Sequence, residues 1–193
     1  MAEWLAAHGW EAVAAALGLA YLLLIIRERV LGWPAAIASA AIYTFVMFEA
    51  GLYMQSVLQL FYVATAFYGW WCWWRGVDGE ALPITRWPWR RHLWVLLLIT
   101  LLGALTGALL ARHTGAALPW LDAWAAWGAV VTTWMVARKV LENWYYWLVI
   151  DSVCLALYAT QGLWLTVALF ALYLVLAVLG LRRWRASLAA AHA

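Results

Sequence analysis

Three side chains that could bind a ligand share one face of an apolar segment in the second half of the chain. Asn143, Trp147 and Asp151 are spaced four residues apart, so a helix through this segment would present them along one stripe. The amide of Asn143 can donate and accept hydrogen bonds, and the indole of Trp147 offers a flat π-face to an aromatic or cationic ring. The carboxylate of Asp151 could attract a cation or carry a proton. The stripe therefore suits a polar or cationic aromatic ligand.

Each of these residues also has a structural interpretation. Asn143 could cap the start of the helix, and Trp147 could be a packing residue. Asp151 could hold a neighbouring helix through a hydrogen bond to a tyrosine or serine. The pattern favours ligand binding for Asn143 and Trp147, and it leaves both interpretations open for Asp151.

Further polar residues lie in an apolar segment of the first half. Gln59 lies deep enough in this segment to contact a ligand, whereas Gln55 lies nearer the outer edge and is expected at the interface. Tyr62 and Tyr173 occupy matching positions of an internal repeat described below, and we expect them on two sides of one cavity. The structural alternative for both tyrosines is a hydroxyl bonded to a backbone carbonyl of another helix.

The composition places the chain in a membrane. Of 193 residues, 69% are hydrophobic and 11% are charged, whereas soluble domains carry about 25% charged residues. This balance excludes an ordinary water-soluble domain, a disordered chain and a nucleic-acid-binding protein. The sequence therefore predicts an all-α integral membrane protein in contact with the lipid bilayer.

Seven apolar segments are long enough to be considered as membrane spans, for which about 20 residues are needed. They are Trp10–Ile26, Val30–Phe48, Leu52–Trp74, Leu93–Ala111, Ala123–Ala137, Trp144–Thr160 and Leu163–Leu181. Tryptophans at span ends, such as Trp70, Trp71, Trp73 and Trp74, are expected at the depth of the lipid headgroups. Seven spans place the two termini on opposite sides.

Basic residues alternate with these spans. Arginine and lysine follow spans one, three, five and seven, whereas the opposite side carries only Arg112 beside Glu49 and Asp122. Because cytoplasmic loops are enriched in lysine and arginine, this pattern predicts an external N-terminus and a cytoplasmic C-terminus.

The chain contains a weak internal repeat at a shift of 111 residues. The shift aligns Arg27 with Arg138, and it also aligns Trp33 with Trp144, Gly69 with Gly180, and Trp73 with Trp184. We expect two parallel three-helix repeats joined by a linker helix, an arrangement known in transporters. The predicted organisation is residues 1–92 for the first repeat with its cytoplasmic loop, 93–122 for the linker helix and outer loop, and 123–193 for the second repeat and tail.

No pattern of catalytic residues or cofactor ligands stands out. The four histidines, His8, His92, His113 and His192, fall in predicted termini or loops, and Cys72 and Cys154 lie within apolar runs. Ser39, Ser56 and Ser152 have no base nearby in the sequence pattern, and no phosphate-binding loop is present. The sequence predicts no enzyme activity, no metal site and no cofactor.

Several runs resemble the signatures of the PnuC-type nicotinamide riboside transporters. They are Leu58–Tyr62, Tyr68–Trp73, Arg138–Trp147 and the tail from Leu157 through Gly162 to Trp184. The resemblance extends from Trp10 to Arg185. It implies a seven-helix fold similar to an enlarged SWEET-type sugar transporter, usually assembled as a homotrimer in the bacterial inner membrane. It also implies facilitated diffusion, with cytoplasmic phosphorylation trapping the product.

By the same resemblance, Gln59, Asn143 and Trp147 match the positions that line the substrate cavity. Asn143 and Gln59 would bond the nicotinamide amide or the ribose, and Trp147 would stack on the pyridinium ring. Asp151 stands where some members have asparagine, and a related thiamine-carrying branch shares much of the tail. Thiamine, or another vitamin or nucleoside, is therefore the alternative substrate, and a non-transporting partner subunit is the alternative class.

Overall fold

The computed structural model describes residues 2–49, 53–113, 118–160, 162 and 164–191. Within these residues the chain forms seven α-helices and no β-strand. The helices are α1 (Ala2–Ile26), α2 (Gly32–Glu49), α3 (Tyr53–Arg75), α4 (Trp89–His113), α5 (Pro119–Ala137), α6 (Asn143–Thr160) and α7 (Trp164–Ala190). Each helix coincides with one predicted span, so the all-α fold expected from the sequence is confirmed.

Four helices extend four or more residues beyond the predicted spans. α1 begins at Ala2, α4 begins at Trp89, α5 begins at Pro119, and α7 continues to Ala190. Hydropathy reports where the apolar stretch ends, whereas a helix continues for as long as its backbone hydrogen bonds are made. Because arginine is also a good helix former, the basic residues that end the seventh predicted span do not end α7.

Three helical segments of the described chain qualify by themselves as membrane spans, on length, hydropathy and scarcity of charge. They are Gly9–Ile26 in α1, Trp89–His113 (all of α4) and Thr166–Ala190 in α7. The surface of α4 agrees with contact with lipid, because a series of large apolar side chains is exposed along it: Leu93, Trp94, Leu97, Leu101, Leu105 and Leu109.

The chain divides into two compact units, Met1–Pro83 and Ile84–Ala193. In the first unit, α2 packs against both α1 and α3. Two serine hydroxyls join these helices, since Ser39 Oγ donates to the carbonyl of Ala14 at 2.7 Å and Ser56 Oγ donates to that of Thr44 at 2.9 Å. In the second unit, α5 packs against α4 and α6, and α6 packs against α7.

A buried tryptophan cluster forms the centre of the first unit. Trp33, near the start of α2, is fully buried, and its ring presses against Gly69 of α3. A Cβ atom on Gly69 would lie 2.4 Å from Cη2 of this ring, so only glycine leaves room for it. Trp73 meets Trp33 edge-on, with ring centroids 5.5 Å apart. Trp73 is 4% exposed, so it is a core residue of the first unit, while its depth among the headgroups stays a prediction.

The second unit contains the same cluster at the positions predicted by the repeat. Trp144 presses against Gly180, where a Cβ atom would lie 2.4 Å from Cη2 of the ring. Trp184 meets Trp144 edge-on, with centroids 5.3 Å apart and the ring planes at 88°. Shared apolar composition cannot produce matched ring-on-glycine contacts, so the repeat is a structural one.

The corner before each of these tryptophans is repeated as well. Glu28 and Lys139 both have a positive φ, of 55° and 49°, and each lies two residues beyond the end of the preceding helix. In the first corner the N–H of Arg29 bonds the carbonyl of Leu24 at 2.9 Å, and the equivalent bond in the second corner measures 3.0 Å. This is the Schellman pattern of helix termination. Both corners adopt it without glycine.

Two glycines allow α4 and α5 to approach closely. Gly103 and Gly107 are four residues apart, the small-residue spacing typical of packed membrane helices. A Cβ atom on Gly107 would lie 2.8 Å from the ring of Trp120. The indole N–H of Trp127 in α5 donates to the hydroxyl of Thr106 in α4 at 3.2 Å. α4 is therefore tied to α5 by both packing and hydrogen bonding.

Replacing Gly180 with alanine should destabilise the second unit, because the new methyl group would overlap the Trp144 ring. We expect a loss of about 1–3 kcal/mol, the usual cost of overpacking, measured as a lower melting temperature of the protein in detergent. Gly9→Ala is the matched control, since nothing lies within 4 Å of its Cβ position. An unchanged melting temperature for Gly180→Ala would contradict the described packing.

Candidate functional site

The stripe predicted in the second half lies on one continuous helix. α6 runs from Asn143 to Thr160, so Asn143, Trp147 and Asp151 share a face as expected. Asn143 is fully buried, Trp147 is half-buried and Asp151 is 6% exposed. The structure therefore brings these three predicted residues together along α6.

Asn143 has an unusual hydrogen-bonding state for a buried amide. Its Nδ2 donates to the carbonyl of Val140 at 2.6 Å. Its Oδ1 accepts no hydrogen bond from the residues that the structure describes, although the atom is buried. A side-chain cap requires this oxygen to accept from a backbone N–H, so Asn143 does not cap α6 in that way. Buried acceptors are normally satisfied, so Oδ1 is an exception among the described residues, and a donor from outside the protein reaches it only if the side chains around it move.

The remaining predicted residues lie on α3 and α7. In the first unit, Gln59 and Tyr62 are half-buried on α3, and the side chain of Gln55 lies outside the described residues. In the second unit, Tyr173 is half-buried on α7, and its ring packs edge-on against Phe170 at 5.6 Å between centroids. Since α7 packs against α6, Tyr173 lies on a helix adjacent to the stripe.

Glu142, the residue immediately before α6, has an environment that the sequence did not single out. Its backbone carbonyl accepts the N–H of Tyr145 at 3.0 Å. Its buried carboxylate accepts two further bonds, one from Arg86 Nε at 3.0 Å and one from the backbone N–H of Trp87 at 3.1 Å. The hydrogen bond from Arg86 to Glu142 and the charge of that carboxylate raise the pKa of Arg86. The sequence signal was an acid placed directly before the helix, in a chain with few acids.

The residues that bind Glu142 belong to a segment we call the strap, residues 84–92. The strap also pairs with the backbone of the α5–α6 corner. The N–H of Thr85 donates to the carbonyl of Lys139 at 3.0 Å, and the N–H of Leu141 donates to the carbonyl of Thr85 at 2.8 Å. Ile84, at the start of the strap, is buried. The strap therefore follows the corner over several consecutive residues.

Aromatic contacts hold the far end of the strap. The ring of Trp87 lies 5.7 Å from both Trp134 and His92, and the Arg91 guanidinium lies 5.2 Å from its centroid. His92 Nδ1 and the hydroxyl of Tyr146 are hydrogen-bonded at 3.0 Å. His92 was predicted in a loop, but it lies in the first turn of α4, because that helix begins at Trp89. Arg91, also a strap residue, contacts the ring of Trp87 in addition to any part it has in fixing topology.

The second unit contains a cavity of about 360 Å³ between α4, α5 and α6. Its lining comprises His92, Leu96, Ile99, Trp124, Gly128, Glu142, Tyr145, Tyr146, Val149 and Ile150. None of the six predicted ligand residues is among them. On α6 the cavity and the stripe lie on neighbouring faces, because Tyr145, Tyr146, Val149 and Ile150 form one arc around the helix and the stripe residues form the adjoining arc.

In the part of the chain that the structure describes, no group of three or more histidine, cysteine, aspartate or glutamate side chains is placed to hold a metal ion. The hydroxyls of Ser39, Ser56 and Ser152 all donate to backbone carbonyls. The candidate ligand-binding groups are an amide, an indole and a carboxylate along α6. The start of this helix is held in place by the strap.

Two named transporters are similar in sequence to this chain. The nicotinamide riboside transporter PnuC of Escherichia coli is 25% identical over 200 residues, which cover 90% of this chain and 84% of that protein. The riboflavin/roseoflavin transporter RibM of Streptomyces davaonensis is 29% identical over 175 residues, covering 87% of this chain and 80% of that protein.

The fold has a close counterpart among solved structures. The crystal structure of the vitamin B3 transporter PnuC matches with a TM-score of 0.74 at 21% identity, covering 94% of this chain and 82% of that one. The model of the nicotinamide mononucleotide transporter family matches residues 8–186. Because that match covers most of the 193 residues, this chain belongs to the nicotinamide mononucleotide transporter family, the family of the PnuC-type membrane transporters.

Proposed function

We propose that this protein carries nicotinamide riboside across the bacterial inner membrane by facilitated diffusion. The observation that carries the proposal is the Oδ1 of Asn143, which has no hydrogen-bond partner among the described residues and lies one helical turn from the half-buried indole of Trp147. Nicotinamide riboside has a carboxamide that can donate to such an acceptor and a pyridinium ring that can stack on an indole. Membership of the family supports transport as the activity.

Asp151 extends this recognition to the charge of the ligand. A buried carboxylate within a membrane helix is costly unless a cation or hydrogen bond compensates it. A pyridinium held by Trp147 would lie within about one turn of Asp151 along α6, near enough for attraction in a medium of low dielectric constant. Gln59, Tyr62 and Tyr173 are the further residues proposed to bind the same substrate, with Gln59 directed to the amide or the ribose.

Facilitated diffusion leads to accumulation of a vitamin inside the cell only if the imported molecule is converted there to another compound. Phosphorylation of the riboside in the cytoplasm adds about two negative charges at neutral pH. A binding face that carries Asp151 would reject the resulting anion, so the product would be retained. This trapping mechanism needs no ion gradient; the alternative is a proton-coupled carrier that uses Asp151 as the proton acceptor.

Orientation and assembly complete the proposal. The basic residues at the ends of α1, α3, α5 and α7 support an external N-terminus and a cytoplasmic C-terminus. In this orientation the strap and both helix corners face the cytoplasm. A homotrimer is proposed from the resemblance to the family.

The identity of the transported vitamin is the most specific part of the proposal. The 29% identical relative is named as a riboflavin/roseoflavin transporter, and an isoalloxazine ring could also stack on Trp147. Riboflavin is uncharged, however, and it would gain no charge attraction from Asp151. Thiamine is a cationic aromatic vitamin and is favoured by the same residues as nicotinamide riboside. We therefore rank nicotinamide riboside first, thiamine second and riboflavin third.

Calorimetric titration of the purified protein with each of the three vitamins tests this ranking. We expect nicotinamide riboside to bind most tightly. Binding of thiamine alone, or of riboflavin alone, would reassign the substrate while retaining the transporter. Absence of binding to all three would favour another vitamin or nucleoside, or a partner subunit that does not bind substrate by itself.

Removing the ring of Trp147 or the amide of Asn143 should weaken binding of nicotinamide riboside. We expect each of Trp147→Ala and Asn143→Ala to cost about 1–2 kcal/mol, through loss of cation–π stacking or of one hydrogen bond. Trp147→Phe should retain part of the affinity. Trp74→Ala is the matched control, because Trp74 is 77% exposed. Titration should be paired with melting temperatures, since Asn143 also bonds Val140. Wild-type affinity in Trp147→Ala would show that the ligand lies elsewhere.

Replacing Asp151 with asparagine separates charge attraction from proton coupling. The substitution should weaken binding of the cationic vitamins by about threefold to tenfold, in keeping with one screened charge interaction, and should leave any riboflavin binding unchanged. Uptake by the wild type into vesicles should not respond to an imposed pH gradient. A gradient-dependent rate that disappears in Asp151→Asn would identify a proton-coupled carrier.

A further inference from the structure

The two helix corners of the repeat have the same backbone and different surroundings. The shift of 111 residues aligns Leu31 in the first corner with Glu142 in the second. Leu31 is 71% exposed, whereas Glu142 is buried beneath the strap and accepts bonds from Arg86 and Trp87. At this position, therefore, the second corner carries a buried carboxylate bound to the strap, and the first corner carries an exposed leucine.

This brace, formed by the strap on Glu142, acts at the residue directly before α6. The backbone of Glu142 accepts the N–H groups of Tyr145 and Tyr146, at 3.0 and 3.4 Å, and so starts the helix. Its side chain is fixed at the same time by the strap. Because Asn143 follows Glu142 directly, a change in the position of Glu142 would rotate or shift Asn143 and, one turn later, Trp147.

The start of α6 is held from other directions as well. The hydroxyl of Tyr146 is bonded to His92 Nδ1. On the α7 side, Arg185 donates to the hydroxyl of Tyr145, and its guanidinium lies 5.5 Å from that ring. These contacts involve residues in the first turn of α6. The bonds of Glu142 instead involve the residue directly before that turn, whose carbonyl accepts its first N–H groups.

We propose that Glu142 is a positioning residue for the ligand-binding face of α6, acting through its bonds to Arg86 and Trp87 of the strap. The inference rests on the proposed function, because it takes Asn143 and Trp147 to contact the substrate. Glu142 itself immediately precedes α6, and in this proposal it does not touch the ligand. The strap holds the Glu142 carboxylate before substrate binds. The free-energy cost of ordering the binding face is therefore met during folding and does not lower the affinity for substrate.

The test is the affinity for nicotinamide riboside of the full-length protein in detergent, measured well below the melting temperature of each variant. Glu142→Ala should weaken binding about tenfold, a change within the usual range for coupled neighbouring residues. Glu142→Gln should recover most of this loss, because its amide oxygen can still accept the N–H of Trp87. Arg86→Ala should fall between the two, since it leaves the Trp87 bond intact.

The matched control is Glu80→Gln, an exposed acid on the same α3–α4 connection but outside the strap. We expect it to bind like the wild type. If Glu142→Ala and Arg86→Ala have lower melting temperatures but wild-type affinity, then the brace serves stability alone and the inference is overturned. Failure of the wild type to bind nicotinamide riboside would instead overturn the proposed function, so the two failures are distinguishable.

Discussion

The packing of a tryptophan ring against a glycine is the constraint on which the rest of each unit depends. Trp33 against Gly69 and Trp144 against Gly180 set how closely the second helix of each repeat approaches the third. An edge-on tryptophan completes both clusters. Hydrophobic burial gives little preference for one helix pair in a lipid environment, so close packing and small residues must supply the specificity. Trp144 is spaced i, i+3 and i+7 with Trp147 and Asp151, so its packing against α7 fixes the side of α6 that also carries the stripe.

The corners add a second constraint, and they show how one repeat can acquire a role of its own. Glu28 and Lys139 both accept a left-handed backbone conformation, which is unfavourable for residues other than glycine and persists only where the surroundings enforce it. Similar backbones then carry different side chains. Leu31 projects outward in the first corner, whereas Glu142 joins the second corner to the strap. In the unit that carries the asparagine and tryptophan of the proposed site, Glu142 thus braces the start of the helix.

Much of this could be predicted from residues alone, for identifiable reasons. Spans are visible because a membrane helix must be apolar over its length. The stripe on α6 follows from helical periodicity, which is local. The equivalence of Trp144 with Trp33 survived in the sequence because no other residue replaces a large ring seated on a glycine. Local rules also set the limits: Trp73 has the same composition around it as its exposed neighbours Trp71 and Trp74, yet it is buried.

The sequence by itself determined the membrane class, the repeat, the family resemblance and the helix face with ligand chemistry, because each is encoded in hydropathy or in fixed spacing along the chain. Only the tertiary structure decided which polar atoms are satisfied. It decided that Asn143 bonds Val140 and leaves Oδ1 without a partner among the described residues. It also decided that Glu142 meets Arg86, 56 positions away in the sequence. The contact between Glu142 and Arg86 depends on how the strap folds back onto the start of α6, and no periodicity in the sequence specifies that.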